Sequence, residues 1–527
     1  MPAGSPPAEH HSLTRAGLGL RLLAVVTTVA FAVPFLHLLT KAGDAPEVLG
    51  ADGAWAPLWR TLQLAVAVTL ACALIGTAMA WVTMRSDIPG RRVLRVLAAL
   101  PLVIPSFAGA AALVAAFARG GLLDELLSPL GVGSLPEVRG FAGAFVVLCA
   151  LSYPYVYLPV AARLGGLPPS LEESAAMMGL TRWATFRRIV LPQITSSMTA
   201  GSMLVFLYVA SDFGAVQIAR YDTLTRQIYA SRLLHPEASA TFGLLLALVA
   251  LAVTVAERAV ARRQGTSAPW TGRPASVLRL RRWRPVVTVF AWGVVVFTLV
   301  APVVVLGWWA VRGAAPGALR SQAGSLWVPL GNSAWVSIVA AVVTIVVVFP
   351  LAWLSGRERS RLAGWLGSVV TAGFALPGLV IALSLVTVFL RTPLYLTYVP
   401  LIVAYAAHFG GQALRTMTVT VGSLPARVSD AARLLGAPRL RRWWAVELPL
   451  LAPGFAAAAG LVLLATLKEL PATLLLAPIG FETLATRIWS STEDVFLAEA
   501  GEAAVVLIAL SGLLTWRLVI RRIDLMR

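Results

Sequence analysis

The chain is poor in the residues on which soluble chemistry depends. Of its 527 residues only 13% are charged, two are cysteine and five are histidine. Soluble domains carry about 25% charged residues. So low a content, with 58% hydrophobic residues and a mean hydropathy of +0.81, excludes an ordinary globular protein and indicates a chain that crosses the membrane many times. Cys72 and Cys149 both lie in apolar runs, so neither a disulfide framework nor a metal site is indicated and both read as small core residues. No G-x-x-x-x-G-K-[ST] phosphate loop occurs, nor a polar stretch long enough for a soluble nucleotide-binding domain. The apolar runs hold no convergent His/Asp or Ser/Lys set that a membrane-embedded enzyme would need, and no cofactor is implied. The formal net charge of +19 raises nucleic acid as a partner. In a membrane chain, however, basic residues collect in cytoplasmic loops, and their positions decide against it.

What is present is long apolar runs. Reading spans as roughly 18 to 25 mostly apolar residues gives twelve: 18–40, 61–84, 93–117, 141–162, 196–218, 240–261, 286–310, 332–354, 364–390, 394–414, 451–476 and 499–520. An all-α polytopic fold follows, with both termini on one side. Alternate connections are rich in arginine: Arg85, Arg91, Arg92 and Arg95; Arg163, Arg182, Arg187 and Arg188; Arg258 to Arg284; Arg357, Arg359 and Arg361; and Arg415, Arg427, Arg439, Arg441 and Arg442. Those face the cytoplasm by the positive-inside rule, as does the tail with Arg521, Arg522 and Arg527. The intervening connections are mixed or acidic (Asp44, Glu47, Asp52; Asp124, Glu125, Glu137; Glu482, Glu493, Asp494) and face outward. Arg15 and Arg21 lead into the run Leu22 to Leu39, which is long for a signal core and reads as an uncleaved first span.

The chain is also duplicated. Glu173-Ser-Ala175, three residues, Gly179, nine residues, Ile189, one residue, Leu191-Pro192 is answered by Asp430-Ala-Ala432, Gly436, Val446 and Leu448-Pro449 with the same internal spacing and an offset of 257 positions. Ser211-Asp212-Phe213-Gly214-Ala215 precedes Lys468-Glu469-Leu470-Pro471-Ala472 by the same 257, while Ala80-Trp81 and Pro105 answer Ala352-Trp353 and Pro377 with an offset of 272. The Arg-, Gly- and Pro-containing stretch 257–284 separates the copies. The expected domains are therefore a first half 1–256, a linker 257–284 and a second half 285–527, with the repeated loops at 165–192 and 422–449. Matching loops carry matching topology, so the halves are parallel repeats, each of six spans.

Within each loop, Leu171 to Met178 is helix-competent, Gly179 permits a sharp change of direction, and 180–190 with Pro192 restart a helix into the membrane. Glu173 and Asp430 sit at its start, where a carboxylate favours a helix N-terminus and can pair with a partner's arginine. A single copy is explained as a capped polar loop; two copies with identical spacing point to function.

The repeated pattern resembles the EAA loop of permease subunits in binding-protein-dependent ABC importers. It departs from Glu-Ala-Ala only at Ser174 in the first copy, and at Asp430 and Val446 in the second. The resemblance implies a type I importer permease fold in which each loop is a coupling helix docked on a cytoplasmic ATP-binding subunit dimer, with substrate supplied by an extracytoplasmic binding protein. The coupling set is then Glu173, Ala175, Gly179, Ile189, Leu191 and Pro192 with Asp430, Ala432, Gly436, Val446, Leu448 and Pro449. The fused halves and the phrases around Asp212, Lys468-Glu469-Leu470-Pro471-Ala472 and Phe481 to Trp489 are similar to the ferric iron permeases. Thiamine permeases share the fused layout and are the nearest competitors.

Ionisable residues inside spans are costly and point to function by default. Asp212 and Glu469 lie about 16 to 18 residues along spans rising from the cytoplasm, which at roughly 1.5 Å per residue sets both towards the outer side. They are the candidate path residues for a cation, against the structural alternative that each pairs locally. Lys468 is expected to snorkel outward, Pro101, Pro105 and Pro377 to kink their helices, and His408 to pack near a helix end. No metal-ligating cluster occurs in the spans, which fits transient passage. Twelve spans in parallel halves also describe a secondary transporter of the major facilitator layout; such a carrier has no reason to keep the loop spacing twice.

Overall fold

The computed structural model describes residues 18–41, 53–118, 120–130, 137–263, 277–313, 325–357, 361–373 and 376–517. Arg15, Asp44, Glu47, Asp52, Arg359, the linker's 264–276 and the basic tail lie outside the described residues. Among the described residues the regular elements are all helices, and the one β-type contact is an isolated parallel bridge between Ser86 and Leu278.

Among the described residues ten helices are long and apolar enough to span a membrane, from Leu18–Thr40 to Leu497–Thr515. The remaining two of the twelve expected positions hold the 26-residue helix Tyr398–Ser423 and a run split into Arg361–Gly373 and the apolar Gly378–Phe389. The division has a sequence cause. Pro377 stands at the N-cap of Gly378–Phe389 with extended backbone (ψ 140°), and Pro105 stands at the N-cap of Ser106–Phe117 (ψ 148°). Both were expected to kink a continuous helix. Instead each starts a new one, since a proline restricts the residue before it and fits helix starts. The run 93–117 is accordingly three pieces: Arg91–Leu97, a 3-10 turn Leu100–Val103 and Ser106–Phe117.

Three further prolines act differently. A proline lacks the N–H that closes the i→i−4 ladder, and its ring crowds the carbonyl four residues back. One π turn relieves this each time: Phe186–Val190 before Pro192, Val296–Val300 before Pro302 and Trp443–Glu447 before Pro449. The N–H groups of Leu191, Ala301 and Leu448 reach back five residues instead of four.

The helices form two compact units that interleave the sequence halves. The first comprises the described parts of Met1–Val33, Ser337–Phe374 and Tyr405–Thr466; the second takes Pro34–Val336, Ala375–Ala404 and Leu467–Arg527. In the first unit Ala24 and Phe31 pack with Val348, Leu351, Met417 and Ala458, and Thr27 Oγ1 donates to the Val347 carbonyl at 3.0 Å. The second unit uses glycine to bring helices close, as lipid-solvated bundles do. A Cβ at Gly76 would stand 2.8 Å from the Tyr153 carbonyl, and one at Gly201 2.6 Å from that of Tyr155. Trp55–Arg85 and Leu191–Ser211 therefore press on Pro154–Gly166 at positions where no side chain fits. Cys72 and Cys149 are both buried and free. His408 lies in the interior of Tyr398–Ser423 against Phe409, not near a helix end.

Candidate functional site

The two repeated loops fold alike, each within its own unit. Pro168 and Pro425 are N-caps with extended backbone (ψ 128° and 130°), and the loop helices Pro169–Met177 and Ala426–Leu434 follow. The prolines start these helices earlier than the acidic residues suggested. Glu173 and Asp430 consequently sit a full turn inside, exposed, and the first-turn acid is Glu172. Neither Glu173 nor Asp430 caps its helix.

Both helices end on a left-handed glycine, Gly179 at φ 78° and Gly436 at φ 76°. Leu180 N–H donates to Ala175 O (3.0 Å) and Gly179 N–H to Ala176 O (3.0 Å); Ala437 N–H donates to Ala432 O (3.0 Å) and Gly436 N–H to Arg433 O (2.9 Å). These are glycine-terminated C-caps that satisfy the last carbonyls and turn the chain sharply. The chain then restarts at Arg182 and Arg439 and runs through the π turn into the membrane helix.

Burial repeats residue by residue. Ala175 and Ala432 are buried, Ile189 and Val446 half-buried, Leu191 and Leu448 half-buried, and Pro192 and Pro449 exposed. A ring clasp repeats too: Trp81 meets Phe186 edge-on at 4.9 Å, and Trp353 meets Trp443 at 5.5 Å. Each clasp ties the end of the second span of its half to the π turn. The motif's small and apolar positions thus hold the loop in place, while its carboxylate is left facing outward.

Sequence reasoning missed what surrounds those carboxylates. Met177 and Met178 are 82% and 70% exposed, and their counterparts Leu434 and Leu435 89% and 88%. Trp183 and its counterpart Leu440 are exposed as well. A signal existed: these apolar residues stand inside polar loops, in register with each other, on either side of the glycine. Exposed apolar side chains flanking an acid, twice over, set these loops apart from an ordinary solvated loop.

Asp212 and Glu469 sit at matched helix breaks, both in the second unit. Asp212 follows the last residue of Leu191–Ser211, and its Oδ1 accepts the N–H of Ala215 at 2.9 Å, capping Gly214–Ile218. Glu469 Oε1 accepts the N–H of Ala472 at 3.3 Å at the start of Pro471–Leu476. Thr225 Oγ1 and Thr473 Oγ1 in turn donate to the carbonyls of Asp212 and Glu469, both at 2.7 Å. Gly214 is required here because a Cβ would lie 2.7 Å from Phe107 Cβ. The local-pairing alternative therefore describes real contacts: each carboxylate holds a helix start. Yet the breaks also bring them into one environment. Ser106 lies beside Asp212, and the Tyr208 hydroxyl is within electrostatic reach of both Asp212 and Glu469. The Tyr155 ring lies tilted against that of Tyr208, with centroids 5.5 Å apart. Lys468, expected to snorkel, donates to the Leu102 carbonyl at 3.0 Å instead.

Against this geometry the comparisons with known proteins are specific. Residues 72–265 and 348–524 each match the family described as the binding-protein-dependent transport system inner membrane component. The chain belongs to that family. The first match contains one loop helix and Asp212, the second the other loop helix and Glu469, so the duplication read from spacing is a duplication of the whole family unit. The chain is similar to the Fe(3+)-transport system permease protein FbpB 2 of Haemophilus influenzae, 28% identical over 506 residues, covering 94% of this chain and 96% of that protein. It is also similar to the molybdenum transport system permease protein ModB of Mycobacterium tuberculosis, 31% identical over 247 residues (44% of this chain, 90% of that protein). A third similarity is to the sulfate transport system permease protein CysT of Escherichia coli, 31% identical over 218 residues (37% and 78%). The chain is thus a membrane permease component of a binding-protein-dependent importer. That membership settles the choice against a secondary carrier, whose layout the span count alone also fitted.

Proposed function

We propose that this chain is the complete transmembrane path of a ferric iron importer, with both permease halves, 1–256 and 285–527, fused through 257–284. An extracytoplasmic binding protein delivers the cation, and a cytoplasmic ATP-binding dimer grips the loop helices Pro169–Met177 and Ala426–Leu434. Both termini and the arginine-rich connections face the cytoplasm. The chain itself is non-catalytic and supplies the path; nucleotide hydrolysis is the partner's.

The observation that carries the substrate reading is coverage. The ferric relative spans both halves nearly end to end, whereas the molybdenum and sulfate relatives each match less than half of the chain. The break region supports it chemically. It holds two carboxylates, Asp212 and Glu469, against one ammonium, Lys468, which is already engaged by a carbonyl. Carboxylate and phenol oxygens suit a hard cation and repel an oxyanion. The Tyr208 hydroxyl, one turn before Asp212 and within electrostatic reach of both carboxylates, adds a further oxygen to this region.

The test is uptake into vesicles carrying this chain with its ATPase and binding protein, using labelled ferric iron, thiamine, molybdate and sulfate in parallel. ATP-dependent accumulation of iron alone is the expected result. Accumulation of thiamine or an oxyanion without iron overturns the substrate assignment and leaves the importer reading intact.

A further inference from the structure

The two loop helices have the same backbone but different anchors, and the anchor of the first leads to the linker between the halves. At the end of the helix Trp55–Arg85, the Arg85 side chain is 1% exposed and its Nη1 lies 2.7 Å from Oε1 of Glu172 in the loop helix Pro169–Met177. The backbone of the same arginine is held from the other side. Leu278 N–H donates to the Arg85 carbonyl at 2.7 Å, Ser86 and Leu278 form the isolated β bridge, and Leu280 N–H donates to Asp87 Oδ1 at 3.0 Å. The segment 277–280 is therefore a strap across residues 85–87, one side chain away from the first loop helix.

The second half is built otherwise. The position answering Glu172 is Ser429, which has no charge to offer, and its Oγ donates to Glu447 Oε1 at 2.8 Å. Arg442 Nε stands 3.3 Å from the same oxygen. Arg357, the counterpart of Arg85, donates to the Leu424 carbonyl at 3.2 Å. The second loop helix is thus tied to the π turn that follows it, through residues of its own loop.

We infer that the strap 277–280 positions the first loop helix through Arg85 and Glu172, so that the linker's end bears on the docking geometry of that handle. A buried guanidinium cannot be left unpaired without a large cost, so Arg85 and Glu172 move together. Whatever displaces the strap from Arg85 and Asp87 is transmitted to the helix that the ATPase grips. Arg85, Asp87 and Leu278 are positioning residues in this scheme. The inference rests on the reading of Pro169–Met177 as a coupling helix.

The experiment uses the full chain reconstituted with its ATPase and binding protein, and reads substrate imported per ATP hydrolysed. The strap variant Leu278→Pro with Asp87→Ala removes one donor and one acceptor at half-buried positions outside the helices. It should lower that ratio by about two- to thirtyfold, the range spanned by single coupling contacts. Glu172→Arg should lower it similarly, and combining the strap changes with Glu172→Arg should add little, because both act on one route. The charge exchange Arg85→Glu with Glu172→Arg should recover most of the loss. Hydrogen exchange of residues 169–177 supplies a readout independent of transport and should rise in the strap variant. Unchanged exchange in the strap variant, or strictly additive losses, overturns the inference. Raised exchange with an unaltered import ratio instead overturns the coupling-helix reading on which it rests. If Arg85→Glu with Glu172→Arg fails to fold, the strap variant and the milder Glu172→Gln decide the question by the same ratio.

Discussion

Reversing Glu173 and Asp430 together to arginine is expected to release the ATPase subunit and to abolish energised import, with the membrane fold intact. Both side chains are exposed, neither caps its helix, and arginine is a good helix former. The substitutions therefore leave Pro169–Met177 and Ala426–Leu434 standing. What changes is the face offered to a partner. Large exposed apolar side chains follow each carboxylate by about one turn, Met177 and Met178 in one copy and Leu434 and Leu435 in the other, and once docked they exclude water and strengthen a charge contact next to them. Breaking a desolvated charge pair costs about 2–5 kcal/mol. Two such losses correspond to roughly a thousandfold or more in affinity. The measurement is co-purification of the ATPase with the permease, read beside ATP-dependent uptake. Normal docking and normal uptake in the double reversal would remove the functional reading of the repeat.

The second large effect concerns the path. Asp212→Asn with Glu469→Gln should cut ferric iron import while docking and basal ATP hydrolysis persist. The amides keep the acceptor oxygens that cap Gly214–Ile218 and Pro471–Leu476, so the helix starts survive and only the charge is lost. Hydrogen bonds or contacts to charged groups are worth about 1.5–3 kcal/mol each, which sets the expected fall at roughly ten- to a hundredfold per site. Alanine at either position should also lower thermal stability, by about 1 kcal/mol per lost cap. That separates the structural part of each carboxylate's task from its part in conduction. If the amide pair imports iron at the unaltered rate, the two residues are helix caps alone.

These expectations draw on a sequence that was legible in some respects and mute in others. The membrane class and the duplication follow from long apolar runs and from residues that repeat at one offset, because each depends on local composition. The breaks at Pro105 and Pro377 were less visible: hydropathy runs straight through them, and only the extended backbone at each proline shows that a new helix begins. Pro168 and Pro425 carried a start signal that outranked the acids, which is why Glu173 and Asp430 fall a turn further in than expected. The Arg85–Glu172 pair joins residues far apart in the chain, and nothing in either segment announces the other. The same holds for Glu469 and Tyr208, far apart in the chain, which come within electrostatic reach of each other only in the fold. Met177, Met178, Leu434 and Leu435 were readable in principle, since apolar residues in register within polar loops are a pattern a sequence displays.

Cysteine cross-linking tests most directly whether force enters the permease through the two repeated loops. Met177→Cys and Leu434→Cys each place one thiol on the exposed end of a loop helix, and the native Cys72 and Cys149 are buried at 0% and 7% exposure and stay silent. Oxidation of the assembled complex, with single cysteines along the ATPase surface, should join both positions to the ATPase and halt import until the bond is reduced. An intact, importing complex in which neither position cross-links to any site on the ATPase would contradict it.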